Sequence, residues 1–191
     1  MTAPDFDPAA TLRGPRLTVR ELVAGDLDAL HAAASDPETW AGHPARDRHR
    51  REVFEPFFRT LLALGGAVAV EDRAAGRIVG ASRFYVPPDR PEAIAIGFTF
   101  LDRAYWGGAA NFELKSLMLA HAFAWFDEVW FHIAPGNIRS QKATGKLGAV
   151  HAHDARLDLA GQPADWQCFR LTPEAWRAAA ARRPSEDVRP S

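Results

Sequence analysis

The chain has 191 residues, 47% of them apolar and 25% charged, with a formal net charge of −1. That length builds one domain with a sizeable core, and the balanced charge offers no basic surplus for nucleic acid. A single cysteine, Cys168, excludes an internal disulfide framework and a cysteine-rich zinc site, and no apolar run is long enough to span a bilayer.

The opening, MTAPDFDPAAT, lacks the basic-then-apolar order of a signal peptide, so a cytoplasmic location is expected. Residues 1–13 and 181–191 are rich in Pro, Ala and charge and read as mobile tails around a domain over 14–180. Residues 15–22 alternate, Leu17 and Val19 against Thr18 and Arg20, and predict a first strand. Asp26 is placed to cap a helix running to Ser35. A second helical stretch covers 47–64; Pro56 inside it predicts a kink or two short helices. Residues 67–71 and 77–86 are apolar, β-branched runs joined by Asp72-Arg73-Ala74-Ala75-Gly76, a hairpin signal. A turn at 87–91 leads to a third strand over 94–101.

Next comes Trp106-Gly107-Gly108-Ala109-Ala110-Asn111, read as a loop that opens into an apolar helix over 112–126. Free N–H groups at such a helix start, beside glycines that permit close approach, suit a pyrophosphate. Val129–Ile133 follows through this helical crossover, so it should lie parallel to the strand at 94–101. Asn137 caps a short helix over 138–147, stopped by Gly148. Strands around 149–157 and 165–171 come next, and Thr172-Pro173 starts a last helix. Cys168 lies in the final strand and reads as a small buried hydrophobe.

This order, with LRGPRLTVRELVAGDLDALHAAASDPE at the start, the segment from Asp102 to Asn111, and Asn137-Ile138-Arg139-Ser140-Gln141-Lys142-Ala143 followed by Lys146-Leu147-Gly148-Ala149, resembles the GNAT superfamily of acetyl-CoA-dependent N-acetyltransferases. Its branch with ribosomal-protein N-terminal alanine acetyltransferases is the most similar. The resemblance spans about Leu12 to Leu171. It implies one α/β (α+β) domain: a mixed, mostly antiparallel sheet, flanking helices and a parallel strand pair that splays apart. The chain departs from the family pattern in places. Ala109 stands at the later glycine-type position of the phosphate loop and Asn111 where alanine is common. Ala95 replaces a glutamate many relatives carry, and Thr144 stands near a tyrosine others use as general acid.

Acetyl transfer requires a held pyrophosphate, a polarised thioester carbonyl, a neutral amine and a proton for the leaving thiolate. The resemblance assigns the pyrophosphate to Trp106, Gly107, Gly108, Ala109, Ala110 and Asn111, and the pantetheine arm to Phe98, Thr99 and Phe100, with a strand N–H on the carbonyl oxygen. Asn137 lies beside the cofactor in this family as well as being a helix cap. Ser140, on the same first turn, is a candidate proton donor to sulfur or an ordinary first-turn polar residue. His132 shares a strand face with Trp130 and is a candidate base or a satisfied, half-buried histidine; Glu71 and Glu92 are further candidates. Direct attack by a neutral amine needs only positioning.

His151 and His153 share a strand face by alternation, but no further ligands follow at suitable spacing, so no metal is expected. His43, His49 and the arginines of 46–51 read as a solvated helix face. Trp40, Phe54, Phe57 and Phe58 either line an acceptor pocket or pack the core. The implied partners are acetyl-CoA and an amine, either a peptide N-terminus or a small molecule, with no nucleic acid or membrane and with a homodimer left open. The alternative is an acyl-CoA-binding regulatory module without activity, which the absent glutamate and tyrosine support.

Overall fold

The computed structural model describes residues 5–182. In chain order its elements are β1 (Leu12–Arg13), β2 (Leu17–Glu21), α1 (Leu27–Ala34), α2 (Arg51–Leu64), β3 (Ala67–Asp72), β4 (Arg77–Tyr85), β5 (Ile94–Leu101), α3 (Ala109–Phe123), β6 (Val129–Ile133), α4 (Ile138–Gly145), β7 (Val150–Asp158), β8 (Pro163–Leu171) and α5 (Pro173–Ala181). The strands make one eight-stranded sheet in the order β1-β2-β3-β4-β5-β6-β8-β7. All neighbours pair antiparallel except β5 and β6, which are parallel. The predicted mixed sheet, flanking helices and parallel pair are present.

Strand alternation sends successive residues to opposite faces. On one face Val19, Val68, Val70, Ile96, Phe131 and Ile133 pack with Leu114, Met118, Leu119 and Ala122 of α3. On the other, Ala67, Ala69, Ile78 and Phe100 pack under α1 and α2 with Leu30, Phe54 and Leu61. Tyr85, Ala95, Trp130 and Cys168 continue that second face toward β8, and Phe98 touches both of its clusters. Among the described residues no helix is long and apolar enough to cross a membrane.

Four local readings change. The stretch read as a mobile tail over 1–13 contains β1, and Phe6 packs edge-on against Phe84 and Phe126, because burying that ring outweighs the freedom lost. Residues 1–4 and 183–191 lie outside the described residues, while Ala181 closes α5. Asp26 precedes α1 but does not cap it through its side chain. Its carboxylate takes two hydrogen bonds from Arg20 and one from the Val23 N–H, and Arg20 also pairs with Glu71. Residues 46–49 form a separate 3-10 turn, and α2 then runs unbroken through Pro56; a single lost backbone bond is outweighed by burial of Phe54, Phe58 and Leu61. Finally, α3 begins at Ala109 rather than at Phe112, so Ala109, Ala110 and Asn111 form its first turn.

Candidate functional site

β5 and β6 pair only at Ile94–Val129 and Ala95–Trp130. Beyond those positions β6 stays bonded to β8 along its whole length, from Val129–Leu171 to Ile133–Gln167, and β5 stays with β4. The two parallel strands therefore part toward their C-terminal ends, and the free edge of β5 faces the gap.

A bulge interrupts β5 at the gap. Ala81 pairs with Phe100 and Arg83 with Gly97, so Phe98 and Thr99 together oppose Ser82. Phe98 has φ 54°, the only positive value outside glycine among the described residues. Such a conformation is costly for an aromatic residue and persists at sites where the surroundings enforce it. A bulge leaves its extra residue out of the ladder, so a main-chain group there is free to bond a ligand.

The chain leaves β5 through a 3-10 turn at Arg103–Tyr105, capped by the Asp102 side chain. Gly107 takes φ 70°, and Gly108 is the N-cap of α3. No side chain caps this helix and no acidic residue occupies its first turn. A Cβ on Gly107 or Gly108 would meet nothing within 4 Å. The amides of the first turn thus have no capping side chain, and the positive end of the helix dipole is unneutralised. The Asn111 side chain has no hydrogen-bond partner among the described residues. Trp106 donates to the Leu101 carbonyl at 3.0 Å, and the Arg139 guanidinium lies 4.0 Å from its ring centroid.

Asn137 caps α4 as predicted, accepting from the Ser140 N–H at 3.2 Å. The Ser140 hydroxyl has no partner among the described residues. Arg139 also donates to the Thr39 carbonyl at 3.0 Å, tying α4 to the 3-10 turn at Pro37–Thr39. Thr144 is buried.

His132 goes elsewhere. It lies on the Trp130 face, as alternation predicts, and its Nδ1 is 2.8 Å from the Tyr85 hydroxyl. Its Nε2 is 3.8 Å from Asp89 and makes no hydrogen bond. The imidazole has no exposed surface, and burial holds its pKa down to about 4, so it is neutral near pH 7. It is thus sealed beside Tyr85, whereas Ser140 meets Asn137 only through its backbone N–H.

Lys115, a side chain that the sequence reading passed over, meets Thr99 at the gap. Lys115 of α3 donates to Thr99 Oγ1 at 2.7 Å, and Thr99 Oγ1 is 2.7 Å from Ser82 Oγ. Burial pulls the Lys115 pKa down to about 7. The signal was present in the sequence: Lys115 interrupts the apolar stripe Leu114, Met118, Leu119, Ala122 on the buried face of α3.

The face read as solvated is in part packed. Arg48 stacks on Phe57 at 3.9 Å, and burial lowers its pKa to about 10. Burial, with help from Arg48 and Arg139, lowers His43 to about 4. Trp40, Phe54 and Phe58 are core residues; Phe57 alone of the four is half-buried. At the far edge, a bulge between His151 and His153 breaks the alternation. His151 stacks with Phe169 and bonds to Asp154, while His153 stacks with Trp130 and bonds to Asp89. Cys168 is buried, as expected, and burial raises its thiol to about 11.

Comparison with known proteins places this geometry. Residues 16–150 match the family model described as an acetyltransferase (GNAT) domain. No protein of curated function matches the sequence. A GCN5-related N-acetyltransferase from Brucella melitensis is similar in structure, with a TM-score of 0.76 at 18% identity, over 95% of this chain and 88% of that one. The acetyltransferase (GNAT family) from Bacillus anthracis gives 0.65 at 16% identity, over 86% and 99%. Mycobacterium smegmatis RimJ, in complex with CoA-disulfide, gives 0.63 at 18% identity, over 95% and 97%.

Proposed function

The chain belongs to the GNAT acetyltransferase family, and from that premise we propose that it transfers the acetyl group of acetyl-CoA to a primary amine by direct attack in a ternary complex. The observation that carries this reading is a convergence at one end of β5: the uncapped start of α3, the gap between parallel strands and the bulge at Phe98.

In this reading the amides of Gly107, Gly108, Ala109, Ala110 and Asn111 hold the pyrophosphate, with Trp106 and the Asn111 side chain beside it. The pantetheine arm lies along Phe98, Thr99 and Phe100 and fills the gap like an added strand. A free N–H at the bulge polarises the thioester carbonyl. Asn137 holds the start of α4, where the unpartnered Ser140 hydroxyl serves the sulfur. His132, neutral and sealed, takes no proton; the amine attacks already neutral, and positioning supplies the rate. The acceptor is a primary amine, either a peptide N-terminus or a small molecule.

A second reading, a coenzyme-binding module without turnover, is favoured by Ala95 and the buried Thr144 at the positions of the missing acid/base groups. Thiol release from acetyl-CoA across a panel of amines and peptide N-termini separates the two. Turnover supports the enzyme, and tight binding without turnover supports the module. Beside that assay, Gly108→Asp places a carboxylate at the proposed anion site, at a position where a Cβ has room. CoA affinity should fall at least about tenfold in a folded variant; unchanged affinity would remove the pyrophosphate from this loop.

A further inference from the structure

A cation buried without a counter-charge is costly and asks for a reason. Lys115 is 7% exposed. Its Nζ makes one hydrogen bond, to Thr99, and stands 5.8 Å from the Phe131 ring centroid. The charged and titratable groups around it turn elsewhere. On α3, Glu113 accepts from the Arg16 and Leu17 N–H groups, and His121 contacts the Asp7 carbonyl. Tyr105 bonds to Asp72. On β4, Arg83 donates to the Leu64 and Gly65 carbonyls. On β6, His132 lies on the opposite face with Tyr85. Among the described residues the one hydrogen-bond partner of the ammonium is the Thr99 hydroxyl, which is itself bonded to that of Ser82.

The position is as telling as the isolation. Thr99 belongs to the bulge of β5 and Phe131 to β6, beyond the last bonded pair, so Nζ stands between the strands where they have parted. Acetyl transfer puts negative charge into that gap. As the amine nitrogen bonds to the thioester carbon, the π pair of the carbonyl moves to oxygen. It returns when the C–S bond breaks and sulfur departs with its electron pair, while the attacking nitrogen loses its proton to solvent. A preorganised cation beside that oxygen acts in a dry, low-dielectric setting, where such stabilisation is largest.

Resting on the acetyl-transfer reading, we propose that Lys115 is a catalytic residue: its ammonium, aimed by Thr99, donates a hydrogen bond to the thioester carbonyl oxygen at the β5 bulge and stabilises the oxyanion. No proton changes hands at Nζ. The working form is the charged one. Because burial holds the pKa down to about 7, this contribution is present at lower pH and is lost as pH rises through that value.

The test compares wild type with Lys115→Met, of similar length and no charge, and with Lys115→Arg. Acetyl-CoA turnover with an accepted amine, CoA binding, thermal unfolding and the pH dependence of kcat/KM for acetyl-CoA are measured. Lys115→Met should lose about 10²-fold in kcat, keep its CoA affinity, unfold at a higher temperature and lack the alkaline limb. Lys115→Arg, charged at every accessible pH, should retain more activity and shift that limb upward. Wild-type kcat in Lys115→Met, or a loss confined to CoA binding, overturns the proposal; so do identical pH profiles for wild type and Lys115→Arg. A wild-type protein that binds CoA but acetylates no amine removes the acetyl-transfer reading itself, and this role with it.

Discussion

At the residue scale, the site is built from side chains whose own bonds are incomplete. Asn137 spends its carbonyl oxygen on the helix cap, whereas Ser140, held by that cap, has a free hydroxyl. If this hydroxyl serves the leaving sulfur, Ser140→Ala should lower kcat by about 10- to 100-fold and leave CoA affinity unchanged; steady-state kinetics beside a binding isotherm reads both. Equal kcat would remove the role. His132 shows the reverse case. Its Nδ1 is engaged by Tyr85 and burial keeps it neutral, so it is better placed to hold β4 against β6 than to take a proton.

At the element scale, one strand and one helix position the chemistry. β5 runs antiparallel to β4 yet must release its other edge, and the bulge at Phe98 re-aims the strand where that release happens. Gly80 lets β5 lie close to β4 just past the bulge: a Cβ there would lie 2.2 Å from the Phe100 carbonyl oxygen. Gly80→Ala should therefore push β4 from β5 and cost about 1–3 kcal/mol, read as a lower urea midpoint; an unchanged midpoint would show that the strands yield freely. α3 contributes both of its properties. Its buried stripe anchors it under the sheet, and its uncapped start leaves amides for an anion.

At the scale of the whole molecule, two histidines set the acid limit. His43 packs against Trp40 and His132 beside Tyr85, and burial holds each near 4 instead of the ordinary 6.5. Between about pH 6.5 and 4 the unfolded chain binds protons that the folded one refuses, so stability falls as pH falls across that window and the loss levels off below it. Urea midpoints measured from pH 7 to 4 should show this decline, and His43→Gln should make it shallower while His132 keeps the rest; a flat wild-type profile would show that neither ring resists protonation.

Much of this was legible in residue order. Alternation marked β2, apolar and β-branched runs marked β3 and β4, Asn137 and Thr172 marked their helices, and two glycines before an apolar helix marked a turn suited to an anion, because these signals are local. The start of α3 was misplaced by one turn, since Ala109, Ala110 and Asn111 have no strong local preference between loop and helix. Long-range contact decided the rest. Asp26 gave up its cap to pair with Arg20, a bulge turned His151 and His153 to opposite faces, and packing closed His132 away from solvent. Lys115 was visible as a charge in an apolar stripe, but only the fold set it between two parted strands beside Thr99, with no carboxylate among the described residues to answer it. The sequence by itself determined most of the elements and the glycine-containing turn before α3, because those follow from neighbouring residues. Only the tertiary structure decided which polar groups meet in the gap, because burial and the company of distant side chains set their charge and their partners.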